Sequence, residues 1–139
     1  MNEVYVLDAC ALIASLKNEN GADIVDEVYE KADNGEAKLL INIINLYEVY
    51  YGFYREKGKE YADKIIDGVK KSVVTICEFD NEVFTIGGKL KAYNKLSLAD
   101  SIVLAQAIIT GGALLTSDHH EFDIIEREGR ENINFKWIR

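Results

Sequence analysis

Short runs rich in β-branched and aromatic residues alternate along this chain with longer segments of helical periodicity. That alternation restricts the fold more than any other feature. The runs are EVYVL (3–7), KLLIN (38–42), SVVTIC (72–77), ALLTS (113–117) and INFKWI (133–138). Each is too short and too β-branched for a helix, and each reads as a strand. ACALIASLKN (9–18) reads as a helix, with Asp8 as a candidate N-cap. In GADIVDEVYEKADNG (21–35), Ile24, Val25, Val28 and Tyr29 share one face and Gly35 can close the helix. Further helices are expected over about 45–57, 59–71, 80–94 and 97–110, with a short one after residue 118. Gly87 and Gly88 weaken the helix over 80–94. The run SIVLAQAII is apolar nearly all round, as in a helix packed between other elements. Strands alternating with helices predict an α/β fold, a mainly parallel sheet covered on both faces.

Four carboxylates stand where an apolar segment meets the start of a helix. Asp8 ends EVYVLD, Glu48 lies in NLYEVYYG, Asp100 in SLADSIVLA, and Asp118 ends ALLTSD. Acids at four such seams point to one rim of a parallel sheet, where α/β folds carry their sites. Gathered there they would repel one another unless a divalent cation joined them.

The chain of 139 residues is expected to form one domain over 1–139. No apolar run approaches the ~20 residues that span a bilayer. MNEVYVLDAC lacks the basic start of a signal peptide, which leads to the expectation of a cytoplasmic protein. Cys10 and Cys77 have no CxxC spacing and are expected to be reduced and buried. A net charge of −8 would ordinarily argue against nucleic acid. The bases are clumped, however: Arg55, Lys57 and Lys59 follow the Glu48 segment, and Lys89, Lys91 and Lys95 precede Asp100. Such clusters contact phosphate if they flank the acidic rim. A basic partner protein suits the same charge.

Each acid has an ordinary structural reading beside the functional one. Asp8 serves as an N-cap, and a phosphatase of the haloacid dehalogenase type would need a second Asp where Cys10 stands. Glu48 follows Asn45 by three residues, a capping-box spacing, yet its neighbours Leu46, Tyr47, Val49, Tyr50 and Tyr51 are bulky and Gly52 leaves room one turn on. Burying an unpaired carboxylate costs several kcal/mol, which favours a compensating cation. Asp100 follows Ser97 by three residues, a capping arrangement, yet it aligns with Leu104, Ala107 and Ile108 on a stripe that must face the core, and no Lys or Arg in that helix can pair with it. Asp118 reads as a turn or cap residue, with the Thr116 and Ser117 hydroxyls beside it and Asp123 as an optional fifth acid. His119 and His120 are adjacent, so their side chains diverge, and no zinc spacing such as HExxH is present. Capping accounts well for Asp8 and Asp118, and poorly for Glu48 and Asp100.

In series, VLDACALIASL, INLYEVYYGFYR, LSLADSIVLAQA and ALLTSDHHEFD span nearly the whole chain. In that order they resemble the PIN domain, the ribonuclease fold used by VapC-type toxins of prokaryotic toxin–antitoxin pairs. The resemblance implies a three-layer α/β/α sandwich, Mg²⁺ or Mn²⁺ dependence, an RNA substrate, frequent homodimers and a small antitoxin partner. It implies that Asp8, Glu48, Asp100 and Asp118 are the metal-binding acids. Asp8, Glu48 and Asp100 would form the main ion site. Asp118, with Thr116 or Ser117, would hold a second ion or aim a water. Cys10 and the double histidine after Asp118 depart from the family pattern without removing a ligand. Two rivals remain open: a PIN-like RNA- or protein-binding module without turnover, and a metal-dependent phosphatase. Tyr47, Tyr50, Tyr51, Phe53 and Tyr54 crowd the Glu48 helix, as core and dimer seam or as part of an antitoxin groove.

Overall fold

The computed structural model describes residues 3–139. In chain order the elements are β1 (Glu3–Leu7), α1 (Ala9–Leu16), α2 (Ala22–Asp33), β2 (Ala37–Asn42), α3 (Ile43–Lys57) and α4 (Lys59–Lys71). Then follow β3 (Thr75–Cys77), α5 (Asn81–Tyr93), α6 (Leu98–Thr110), β4 (Ala113–Thr116), α7 (His119–Glu128) and β5 (Asn134–Trp137). The strands form one sheet in the order β3-β2-β1-β4-β5, and every pairing is parallel. The expected mainly parallel sheet is therefore wholly parallel, with helices on both faces, the expected three-layer sandwich.

Alternation along the strands sorts the core into two layers. Tyr5, Leu7, Leu39, Ile41 and Leu115 pack with α1 to α4 through Leu12, Val25, Val28, Leu46, Val49, Phe53, Ala62 and Val69. Val6, Leu40 and Leu114 point the other way, into Leu90 of α5, Val103 and Leu104 of α6, and Phe122 and Ile125 of α7. The sheet is thus apolar on both sides, which is why its strands read as continuous hydrophobic runs.

Side-chain caps set the helix starts. Asp8, Asn42, Asp80, Ser97 and Asp118 each accept a hydrogen bond from a backbone N–H of the helix that follows. Asn42 takes the capping role that spacing assigned to Asn45; α3 begins at Ile43, two residues before the expected start, and Asn45 lies inside it, buried. SVVTIC is also shorter as a strand than expected, because only Thr75–Cys77 pairs with β2. The helix expected over 80–94 forms despite its glycines. A Cβ on Gly87 would stand 3.6 Å from the Ser101 carbonyl oxygen, so a small residue lets α5 pack closely on α6.

The C-terminal strand is pinned at two points. Ile138 N–H donates to the Thr116 carbonyl at 3.0 Å, and the Arg139 guanidinium donates to the Asn20 carbonyl at 2.6 Å. Gly21, at φ +98, leaves the gap that Ile138 fills; a Cβ there would stand 2.7 Å from the Ile138 carbonyl oxygen. Both cysteines are free thiols, as expected, but half-buried where full burial was expected. Among the described residues no helix is long and apolar enough to cross a membrane.

Candidate metal centre

The strand order reverses between β1 and β4. In open parallel sheets a crevice lies beyond the carboxyl ends of the strands at such a point. Asp8 follows β1 there and Asp118 follows β4, while Glu48 arrives on α3 and Asp100 on the first turn of α6. All four expected acids line one cleft of about 330 Å³, together with Ala9, Cys10, Ile13, Tyr51 and Gly52.

The capping and functional readings prove compatible. Asp8 Oδ1 accepts both the Ala11 N–H at 2.8 Å and the Cys10 thiol at 3.0 Å, leaving Oδ2 outside these two bonds. Asp118 Oδ1 likewise accepts the Glu121 N–H at 3.2 Å. One oxygen of each residue holds its helix, and both residues still line the cleft. Asp100 is the third residue of its helix, where the backbone N–H groups favour a negative charge.

Burial and crowding act together on these acids. Burial pushes the Asp100 carboxyl up to about 7, with the Ser97 hydroxyl opposing and the charges of Asp118, Glu121 and Asp8 adding to the rise. Glu48 is raised first by burial and then by Asp8 and Asp118, against a contact with Asn45. Asp8 is raised by burial and by Asp118, against hydrogen bonds from Thr116, Cys10 and Ala11. Carboxylates that raise one another's proton affinity form a single electrostatic unit. A cation would relieve that repulsion.

The donors fit a hard divalent ion. They are carboxylate oxygens, the ligand class of Mg²⁺ and Mn²⁺. Cys10 is not a competing soft ligand, because burial and then Asp8 push its thiol up to about 12. Among the described residues no three acidic, histidine or cysteine side chains close into a ready-made cage. Carboxylate donors suit Mg²⁺, which keeps several waters and takes few carboxylates directly, better than zinc, which favours histidine and cysteine.

The accessory residues lie elsewhere than the spacing implied. Thr116 is fully buried behind the two aspartates, its hydroxyl accepting the Asp118 N–H at 3.0 Å and supporting the Asp8 carboxylate. Ser117 is half-buried, its hydroxyl 3.3 Å from the Cys10 sulfur. Neither hydroxyl lines the cleft. His119 stacks on Trp137 with ring centroids 3.9 Å apart, its ring nitrogens 2.8 Å from Asp123 and from the Arg139 carbonyl oxygen. It fastens the C-terminus, and Asp123 is occupied with it. Gly52 does leave the room its spacing promised: beyond its chain neighbours and its own helix backbone, no heavy atom of the described residues lies within 4 Å of a Cβ there.

Asn45 is the residue sequence reasoning misread. Its amide donates to the Ala99 carbonyl at 3.2 Å and lies 3.5 Å from Glu48 Oε1. It thereby ties α3 to the turn of α6 that carries Asp100. Its Oδ1 is a buried polar atom without a hydrogen-bond partner among the described residues. The only sequence signal was its spacing from Glu48, which a capping box shares.

A parallel sheet whose strand order reverses over a cleft of clustered acids defines an α/β protein with an acidic site at its switch point. The family model described as PIN domain matches residues 5–128, and the chain belongs to the PIN domain family. Among curated protein sequences, none matches this chain. Solved structures of similar fold include a DNA-bound VapBC from Salmonella typhimurium, at 16% identity and TM-score 0.75, with all of both chains covered. VapBC2 from Rickettsia felis, bound to a promoter DNA fragment, is 20% identical at TM-score 0.73, covering 96% of this chain and 98% of that one. FitAcB from Neisseria gonorrhoeae is 16% identical at TM-score 0.69, covering 94% and 95%.

Proposed function

We propose that this chain is a Mg²⁺- or Mn²⁺-dependent endoribonuclease, a single PIN-like domain over 1–139 acting as the toxin of a toxin–antitoxin pair in the cytoplasm. The observation that carries the catalytic part is the convergence of Asp8, Glu48, Asp100 and Asp118 on one cleft. Burial and mutual repulsion raise three of them. A scaffold gains nothing from keeping a cluster that destabilises it. Membership of the PIN family and the likeness in fold to VapBC and FitAcB assemblies support the toxin part. The same likeness supports an antitoxin partner, which we propose is small, and we propose that the chain forms a homodimer.

Asp8, Glu48 and Asp100 would hold the ion, with Asp118 completing the rim. When bound, the cation supplies Lewis-acid polarisation of a phosphodiester and a nucleophilic water at neutral pH. The chain's own part is positional. Ala11 N–H and the Cys10 thiol fix the rotamer of Asp8, Glu121 N–H fixes Asp118, and Asn45 holds Glu48 beside the first turn of α6. Burial of Thr116 and Asp8 keeps water away from the back of the site. Hydrolysis by water leaves a 5′-phosphate and a 3′-hydroxyl.

Purified protein incubated with structured and single-stranded RNA in Mg²⁺, Mn²⁺ or EDTA tests the reading. Cleavage is expected only with the cations, and Asp8→Asn or Asp100→Asn should abolish it while the fold persists. Products ending in a 2′,3′-cyclic phosphate would refute the mechanism. Cation binding without cleavage would favour the binding-module reading, and turnover of a chromogenic phosphate ester the phosphatase.

A further inference from the structure

An acidic protein that binds RNA at a cleft of carboxylates must find cations close by, or phosphate will not approach. Many of its cations are already engaged. Lys17 pairs with Glu56, Lys31 with Glu3, Lys59 with Asp63, Lys64 with Glu60 and Arg130 with Glu128. Lys91 donates to the Leu96 carbonyl at 2.9 Å, which removes it from the cluster before Asp100. Arg55 differs. Among the described residues it makes no ion pair or side-chain hydrogen bond, and its guanidinium lies over the ring of Tyr51, 5.6 Å from the centroid. Tyr51 in turn lines the acid cleft beside Gly52.

Glu48, Tyr51, Gly52 and Arg55 fall at positions i, i+3, i+4 and i+7 of α3, so they share one face. Seven residues of helix set the Arg55 backbone about 10 Å along the axis from that of Glu48, and its guanidinium, lying over Tyr51, reaches back toward the cleft where a phosphate next to the cleaved one would pass. Tyr51 is 39% exposed and meets Tyr47, which is 60% exposed, edge to face at 5.5 Å between centroids. Large aromatic surface left open beside a polar cleft is where unstacked bases settle. The cation–π contact with Tyr51 restrains the guanidinium while leaving its N–H groups free for paired hydrogen bonds to a phosphate.

We propose that Arg55 and Tyr51 form a substrate-holding site for single-stranded RNA at the mouth of the cleft. Arg55 takes the phosphate adjacent to the scissile one, and Tyr51, edged by Tyr47, receives a base. This deepens the nuclease reading and rests on it for the identity of the nucleic acid. It also selects the strand state: in a duplex the bases are stacked on each other and unavailable to Tyr51.

The test is fluorescence anisotropy of a short fluorescein-labelled RNA of mixed sequence, as a single strand and as a duplex, titrated with the full chain carrying Asp100→Asn in Mg²⁺ buffer at several salt concentrations. Arg55→Ala on that background should weaken single-strand binding about tenfold and lower the salt slope by about 1. Arg55→Lys should keep the slope and lose part of the affinity. Tyr51→Phe should bind normally, and Tyr51→Ala should lose about tenfold. An unchanged affinity and slope in Arg55→Ala, duplex bound as well as single strand, or no binding of either RNA each overturns the proposal. The two readings separate in the wild-type background. Arg55-dependent binding without Mn²⁺-dependent cleavage sinks the nuclease and leaves this site standing. Cleavage with KM unmoved by Arg55→Ala sinks this site alone.

Discussion

Asp100→Asn should stabilise the cation-free protein, and by an amount that grows with pH. An Asp side chain ordinarily titrates near 3.8, whereas burial and three neighbouring acids place Asp100 at about 7. At about 1.4 kcal/mol per factor of ten in proton affinity, that difference sets a ceiling of ~4 kcal/mol. The side chain is only half-buried, so solvent screening reduces the figure to roughly 1–2 kcal/mol. The sign follows from proton counting. Between the unfolded and folded values the native state holds the extra proton, so stability falls as pH rises through that window. Below about pH 4 both states are protonated and the stability is fully present; above about pH 7 it is lost. Asparagine mimics the neutral acid and escapes the loss. Thermal unfolding by circular dichroism in EDTA should therefore show the variant melting about 3–6 °C above wild type at pH 8, with most of that gain gone near pH 4.5. Mn²⁺ should reverse the order, because wild type then gains more from binding than the variant does. A variant no more stable than wild type at pH 8, or equally favoured at both pH values, would show that Asp100 carries no buried repulsive charge.

Three further perturbations probe the surroundings. Asn45→Ala leaves the Ala99 carbonyl and Glu48 without their amide partner, so urea unfolding should show a loss of roughly 1–3 kcal/mol, and Mn²⁺ affinity by calorimetry should fall with it. Gly52→Leu puts a side chain into the open side of the cleft, where no heavy atom lies within 4 Å of a Cβ. Its melting temperature should hold or rise while RNA cleavage falls about tenfold or more. His119→Ala removes the stack on Trp137 and the contact with the Arg139 carbonyl. Amide exchange in β5 should quicken with Mn²⁺ affinity unmoved, and a drop in affinity would revive His119 as a ligand.

Several features were legible because their causes are local. EVYVL and ALLTS show their burial in composition, and Asp8 and Asp118 stand where strand turns to helix whatever surrounds them. Asp100 was legible through helical periodicity, which aligned an unpaired acid with Leu104 and Ala107. Asn45 was not, since the same spacing serves a cap at a helix start and a crosslink inside a helix. The contact that decides between them, with Ala99, lies 54 positions away. Thr116 looked like a candidate for chemistry because a hydroxyl beside an acid often is, whereas His119 already lacked a zinc spacing. Their partners, the Asp118 N–H and the Trp137 ring, assign them to holding the framework.

The sequence by itself determined which segments are strands and helices and which acids stand at their junctions, because periodicity and capping act within a few residues. Only the tertiary structure decided the strand order that turns at β1 and β4, and with it the meeting of Asp8, Glu48, Asp100 and Asp118 in one cleft. The physical reason is range. Desolvation and repulsion between carboxylates depend on distances set by how whole layers pack, and no spacing along the chain encodes those distances.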